Sequence, residues 1–265
     1  MNAVSRPAGS LTILGLGPGA VAWLTPAAQA AIAEASDLVG YAPYLAQIQD
    51  HLPGQRRHAS DNRVELDRAR HALDMAAEGR SVALISGGDP GIFAMAAAAF
   101  EALEAAQASG STVWDAVEIR VEPGISAMQA AAARVGAPLG HDFCVISLSD
   151  NLKPWAIVAR RLEAVAAADL VLALYNPISR QRPWQLAEAF QIMLGHRAPS
   201  TPVVLGRDIG RPGETVRLTD LARADPAEID MRTVVLIGSS TTRRWVRADG
   251  SEWVYTPRSY PGEPA

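Results

Sequence analysis

Six segments of the chain share one design: an apolar, often β-branched run that stops at Gly, Ser, Asn or Asp. They are LTILGLGPG (11–19), SVALISGGD (81–89), FCVISLSDN (143–151), DLVLALYNP (169–177), TPVVLGRD (201–208) and TVVLIGSS (233–240). AVEIRVEPG (116–124) is a weaker case and DLVGY (37–41) another. Runs that are apolar on both faces suit strands covered on both sides, as in a parallel sheet. Helical patterns separate them. TPAAQAAIAEA (25–35) offers Thr25 as N-cap and Pro26 as first helical residue. Residues 61–79 carry one apolar face, Val64, Leu66, Ala69, Leu73 and Ala76, and 94–108, 125–136, 154–168 and 183–195 also read as helices. Strand alternating with helix predicts an α/β fold. Gly and Pro in GAPLGHD (136–142) interrupt the pattern, so two α/β domains are expected, 1–138 and 139–265, with a ligand cleft between them.

The 265 residues are ample for a core, and the formal charge of −4 carries no general basic footprint for nucleic acid. One cysteine, Cys144, excludes an internal disulfide and fits a reducing compartment. No apolar run approaches the roughly 18 residues of a membrane span, and the N-terminus lacks a long apolar signal core. A soluble, cytoplasmic protein is expected.

Gly15-Leu16-Gly17-Pro18-Gly19-Ala20 fits G-x-G-x-x-A, the dinucleotide fingerprint. Three details oppose that reading. Pro18 removes a backbone N–H where a pyrophosphate needs donors. The helix is expected to start near Pro26, too late to aim its N-terminus at the loop. The acid in range, Asp37, begins the next strand rather than ending it. A tight turn at the sheet edge and a ligand-lining loop remain as the other readings.

Ligands in open α/β sheets lie beyond the carboxyl ends of the strands. The polar or small residues at those ends are Gly87, Gly88, Asp89, Ser126, Tyr175, Asn176, Arg207, Asp208 and Ser239. There is no G-x-S-x-G elbow, no P-loop lysine and no metal-ligand spacing among the five histidines and one cysteine. Chemistry carried by a reactive cofactor, with the protein supplying position, fits that profile. Gly87-Gly88 would admit a ligand close to the backbone. Asp89 has two readings, a functional carboxylate or a helix N-cap ahead of Pro90.

Four stretches, GLGPG (15–19), SGGDPGIFAM (86–95), PGISAMQAAAA (123–133) and LYNP (174–177), together resemble the tetrapyrrole, or class III, S-adenosylmethionine-dependent methyltransferases. Order and spacing match over nearly the whole chain. GHDFCVISLSDNLKPW (140–155), LYNPISRQRPWQLAEAF (174–190) and VVLGRDIGRPGE (203–214) narrow the resemblance to members that methylate a macrocycle carbon and contract the ring in cobalamin biosynthesis. The resemblance implies two α/β domains, S-adenosylmethionine as methyl donor, no protein-bound metal, a small tetrapyrrole substrate and a homodimer. It implies cofactor contacts from Gly88, Asp89, Pro90, Ile92 and Phe93, from Ser126 and Ala127, and from Tyr175, Asn176, Gly206 and Arg207. Pro18 would line the substrate trough. Arg180 and Arg211 are candidates for the substrate's carboxylates, and Asp89 for acid–base help in contraction. The rivals are the counterpart acting on a cobalt-loaded substrate, another methyltransferase of the same family (including one acting on ribosomal RNA), a dinucleotide oxidoreductase and a nucleotide-sensing module.

Overall fold

The computed structural model describes residues 9–48, 53–61 and 64–260, and the chain divides into two compact units, Met1–Ser126 and Ala127–Ala265. The first unit alternates β1 (Ser10–Gly15), α1 (Pro26–Glu34), β2 (Asp37–Tyr41), α2 (Ala42–Leu45), β3 (Arg56–Ser60), α3 (Glu65–Ala77), β4 (Ser81–Ser86), α4 (Met95–Ala108) and β5 (Glu118–Glu122). Its five strands are all parallel, in the order β3-β2-β4-β1-β5. Side chains alternate between two apolar layers. Leu11, Ile13, Val82 and Leu84 pack against α3 and α4, while Leu14, Leu38, Ala83 and Ile85 pack with α1 and α2. Burial on both faces explains the unbroken apolar runs, and each fully buried Leu or Ile is worth about 1.5–3 kcal/mol relative to exposure.

Thr25 caps α1 as expected, its Oγ1 accepting from the Ala28 N–H at 3.2 Å. Helix α4 departs from expectation. It begins at Met95, whose N–H donates to Ser86 Oγ at 3.2 Å, so Asp89 is not its N-cap. Helix α3 begins at Glu65, four residues after the expected opening. Strand β3, RRHAS, gave no apolar signal because it is a half-exposed edge strand.

The second unit holds α5 (Ala127–Val135), β6 (Gly136–Ala137), β7 (Phe143–Ser147), α6 (Trp155–Ala167), β8 (Val171–Tyr175), α7 (Gln185–Leu194), β9 (Pro202–Arg207), β10 (Thr215–Asp220), β11 (Thr233–Ile237), β12 (Arg243–Val246) and β13 (Glu252–Tyr255). Its main sheet runs β10-β9-β11-β8-β7. Only β7 and β8 pair in parallel; the other three pairs are antiparallel. The expectation of a parallel sheet is thus met in the first unit and corrected here. Antiparallel β9 and β11 still read as continuous apolar runs because both faces are covered. Leu205 and Val235 join the layer of α6 and α7, and α5 lies on the opposite face, over Gly206. A smaller sheet, β12-β13-β6, completes the unit.

The packing of α5 places the division at Ser126/Ala127, whereas the sequence reading divides the chain at 138/139. Gly and Pro at 136–142 mark the end of a helix rather than the end of a unit. No helix among the described residues is long and apolar enough to cross a membrane.

Candidate functional site

The register of the first sheet sets Gly15 opposite Ser86 and Leu14 opposite Glu122, so β1, β4 and β5 end at one edge. The chain leaves β1 toward α1 on one face and leaves β4 toward α4 on the other. This is the arrangement that opens a crevice at the carboxyl ends of strands. Pairing continues past the strand ends, because Gly17 and Gly88 exchange backbone hydrogen bonds of 3.1 and 2.8 Å. A Cβ on Gly15 or on Gly124 would lie 2.2 Å from the Gly88 carbonyl oxygen, so these backbones touch only because side chains are absent. Gly88 itself, at φ 66, has open space where a Cβ would stand, the nearest atom outside its chain neighbours being Ser126 Cα at 3.9 Å. A ligand therefore has close access to backbone there.

Asp89 joins two of these loops. Its Oδ1 accepts from the Gly91 N–H at 2.8 Å and its Oδ2 from the Gly124 N–H at 3.1 Å. Both oxygens are engaged by the backbone, which suits a pin between loops better than a proton shuttle. Pro90 is buried, Ile92 half-buried and Phe93 51% exposed. Phe93 adopts φ 52, a left-handed conformation that is unusual for a bulky residue and costs on the order of 1–3 kcal/mol. Ser126 is buried and Ala127 half-buried at the start of α5. Pro18 is buried, leaving Gly19 and Ala20 as the accessible part of its turn.

The second sheet also gathers its candidates at one edge. Strands β7, β8 and β9 run in the same direction, so Ser147, Tyr175 and Arg207 end together, and the antiparallel β11 begins there. Tyr175 accepts from the Met128 N–H through its hydroxyl at 2.9 Å, capping a free donor of α5. Asn176, at φ 52, donates from Nδ2 to Ser147 Oγ at 2.9 Å. Arg207 is held by Asp230 at 2.9 Å and Asp208 at 3.1 Å. Arg211 is half-buried in the turn after β9, and Arg180 is exposed in the turn after β8. Gly206 is buried, and an added Cβ would lie 2.8 Å from Ala131 Cβ, so the structure gives it a packing role beneath α5. Ser239 ends the antiparallel β11 and therefore lies at the opposite edge from the other strand-end candidates.

Sequence reasoning overlooked Arg182, Ser147 and Asp150. Arg182 is 6% exposed, donates from Nη1 to the Asn176 carbonyl at 2.8 Å and approaches Asp150 at 3.9 Å. Burial pushes its pKa down, with Asp150 opposing part of that effect. Nothing in ISRQRPW distinguishes this buried arginine from the exposed Arg180 two residues earlier. The dinucleotide reading loses its acid as well. Asp37 starts β2, at the edge away from the glycine turns, and is fully buried against Arg56, His58 and Arg80. No cluster of three or more His, Cys, Asp or Glu suited to a metal occurs among the described residues.

A family model for the tetrapyrrole (corrin/porphyrin) methylases matches residues 10–225. The chain is a tetrapyrrole methylase. The methylase is 51% identical over 254 residues to the precorrin-3B C(17)-methyltransferase of Sinorhizobium sp, a match covering 96% of this chain and 98% of that protein. It is 40% identical over 252 residues to the cobalt-factor III methyltransferase of Priestia megaterium, covering 95% of the methylase and 45% of that longer protein. The crystal structure of the methyltransferase CobJ superposes with a TM-score of 0.85 at 50% identity, over 94% of the methylase and all of that chain. The α/β fold expected from sequence is shared with that methyltransferase.

Proposed function

We propose that the methylase transfers a methyl group from S-adenosylmethionine to C17 of precorrin-3B, with contraction of the macrocycle to precorrin-4 in cobalamin biosynthesis. The observation that carries this reading is identity of 51% to a protein of that activity, across nearly the full length of both chains. The lower identity to the cobalt-factor III relative favours the metal-free substrate over the cobalt-loaded one.

The glycine turns of the first unit fit the methyl donor. The open space at Gly88 lets a ligand approach its backbone, and the same loop carries Phe93 in a left-handed conformation. The donor supplies a sulfonium methyl, electrophilic enough to be attacked by an electron-rich ring carbon without an activated protein nucleophile. What the chain must provide is alignment of the reacting atoms at about 3–3.5 Å, and that is a task for rigid backbone. Gly88, Asp89, Pro90, Ile92, Phe93 and Ser126 are the proposed donor contacts carried by the first unit, and Ala127, Tyr175, Asn176 and Arg207 are those proposed on the second. Gly206 supports this set from beneath. Asp89 then acts by orienting the loops it joins, and Asn176 is oriented in turn by Ser147 and Arg182. Pro18, Arg180 and Arg211 belong to the proposed substrate side. The reading carries a homodimer and a cytoplasmic location with it; light scattering of the purified chain tests the first.

Purified protein with S-adenosylmethionine and precorrin-3B, followed by mass and absorption, tests the reaction. A product heavier by one CH2 with an altered macrocycle spectrum is expected. Added mass with an unchanged spectrum would restrict the activity to methylation. No product, with S-adenosylhomocysteine still bound, would reject precorrin-3B as the substrate.

A further inference from the structure

The geometry points to a carboxylate-binding groove on the ligand edge of the second unit, with Arg180 as the residue that reads the anion. The inference rests on the precorrin-3B reading and adds a substrate subsite to it. An open groove of about 450 Å³ runs between the turn after β8 and the segment leading into β11. Its lining is mostly apolar, including Ile178, Pro183, Ile229 and a 45% exposed Met231, with Arg180, Asp230 and Arg232 as its charged members.

Charge singles out Arg180. Arg207 lies 3.1 Å from Asp208 and 2.9 Å from Asp230, while Arg232 lies 3.2 Å from Asp208 and 3.5 Å from Asp230. Those two cations and two anions cancel. Arg180 is exposed on the groove and makes no ion pair among the described residues, so it is the uncompensated cation there.

The turn that presents Arg180 is anchored from within. Ser179 and Arg182 exchange backbone hydrogen bonds of 3.2 and 3.0 Å, which leaves Arg180 and Gln181 as the two residues of a tight turn. Buried Arg182 ties the base of that turn to the Asn176 carbonyl at 2.8 Å and to Met231 Sδ at 3.5 Å. The backbone beneath Arg180 is thus fixed before a ligand arrives, which lowers the ordering cost of binding. A guanidinium with no ion pair, among mostly apolar lining, matches a ring edge bearing an acidic arm, because its planar fork takes a carboxylate with two parallel hydrogen bonds. The acetate and propionate arms of a tetrapyrrole have that chemistry.

Steady-state kinetics of the full chain and of Arg180→Gln, with calorimetric S-adenosylhomocysteine binding and thermal melting of both, test the assignment. The KM for precorrin-3B is expected to rise about tenfold, as for loss of a hydrogen bond to a charged group. S-adenosylhomocysteine affinity and melting temperature should hold. Arg180→Lys should recover part of the loss, since it keeps the charge without the fork. The gap between the wild type and Arg180→Gln should narrow in high salt. An unchanged KM for precorrin-3B overturns the assignment. So does a parallel loss of donor affinity and stability, which would make Arg180 a structural part of the turn. A wild-type chain that binds S-adenosylhomocysteine yet does not turn over precorrin-3B overturns the substrate reading, and the groove assignment with it.

Discussion

Replacing Asp89 by Asn separates a pin from a proton shuttle. The carboxylate accepts the Gly91 N–H at 2.8 Å on one oxygen and the Gly124 N–H at 3.1 Å on the other. An amide has one oxygen and one NH2. Whichever way it turns, one backbone N–H loses its acceptor and faces a donor. A hydrogen bond to a charged group contributes about 1.5–3 kcal/mol, and an unsatisfied buried donor costs about 1–3 kcal/mol. Asp89 is only half-buried, so water recovers part of this and a net loss of about 2 kcal/mol is expected. That corresponds to a fall of about 4–8 °C in melting temperature. Gly124 packs closely against the Gly88 carbonyl, with no room for a Cβ between them, so a shift of one loop is felt by the other. S-adenosylhomocysteine affinity should therefore drop with stability, by about tenfold if 1.4 kcal/mol of the loss appears in binding. Thermal melting and titration calorimetry read the two effects. Unchanged melting and affinity with a collapsed kcat would refute the pin and return Asp89 to acid–base chemistry.

Two further substitutions probe the frame. Burial pushes the Asp37 carboxyl up, but bonds from His58, Ser36 and Arg56 outweigh it and hold the pKa below the ordinary value. A depressed carboxyl contributes stability above its unfolded pKa and loses it as pH falls through the folded value. Asp37→Asn should cost about 2 kcal/mol at pH 7, less than a fully buried pair because Arg56 and Arg80 reach solvent. Its gap from wild type in urea midpoint should begin to narrow as pH falls below about 4 and close only below the depressed folded pKa, and a gap with no pH dependence across that range would show that charge is not the cause. Gly206→Ala should cost about 1–3 kcal/mol by overpacking against Ala131 Cβ, 2.8 Å from the new methyl. A melting temperature equal to wild type would show that α5 yields freely.

The strands were legible because burial on both faces wrote itself into composition: apart from Thr12, 11–14, 82–85, 171–175 and 234–237 are apolar or aromatic, and Gly15, Ser86, Asn176 and Gly238 follow them. Thr25-Pro26 announced α1 through local capping chemistry. Strand direction was not legible. Val234 and Val204 look like their parallel counterparts, yet their strands run antiparallel, since side-chain burial does not record polarity. For that reason Ser239 looked like a ligand-edge residue and is at the far edge. The late start of α4 escaped as well, because Asp89 satisfies an N-cap pattern locally but spends its oxygens on Gly91 and on Gly124, 35 residues away.

Sequence alone determined the α/β class, the positions of the turns and the chemical family, all of which rest on local patterns and short motifs. Only the tertiary structure decided that Asp89 joins two loops, that Gly206 serves packing, and that Arg182 is buried while Arg180 remains uncompensated. Each of these depends on what lies across from a residue in space, and identical side chains acquire different roles when burial and neighbouring charge differ.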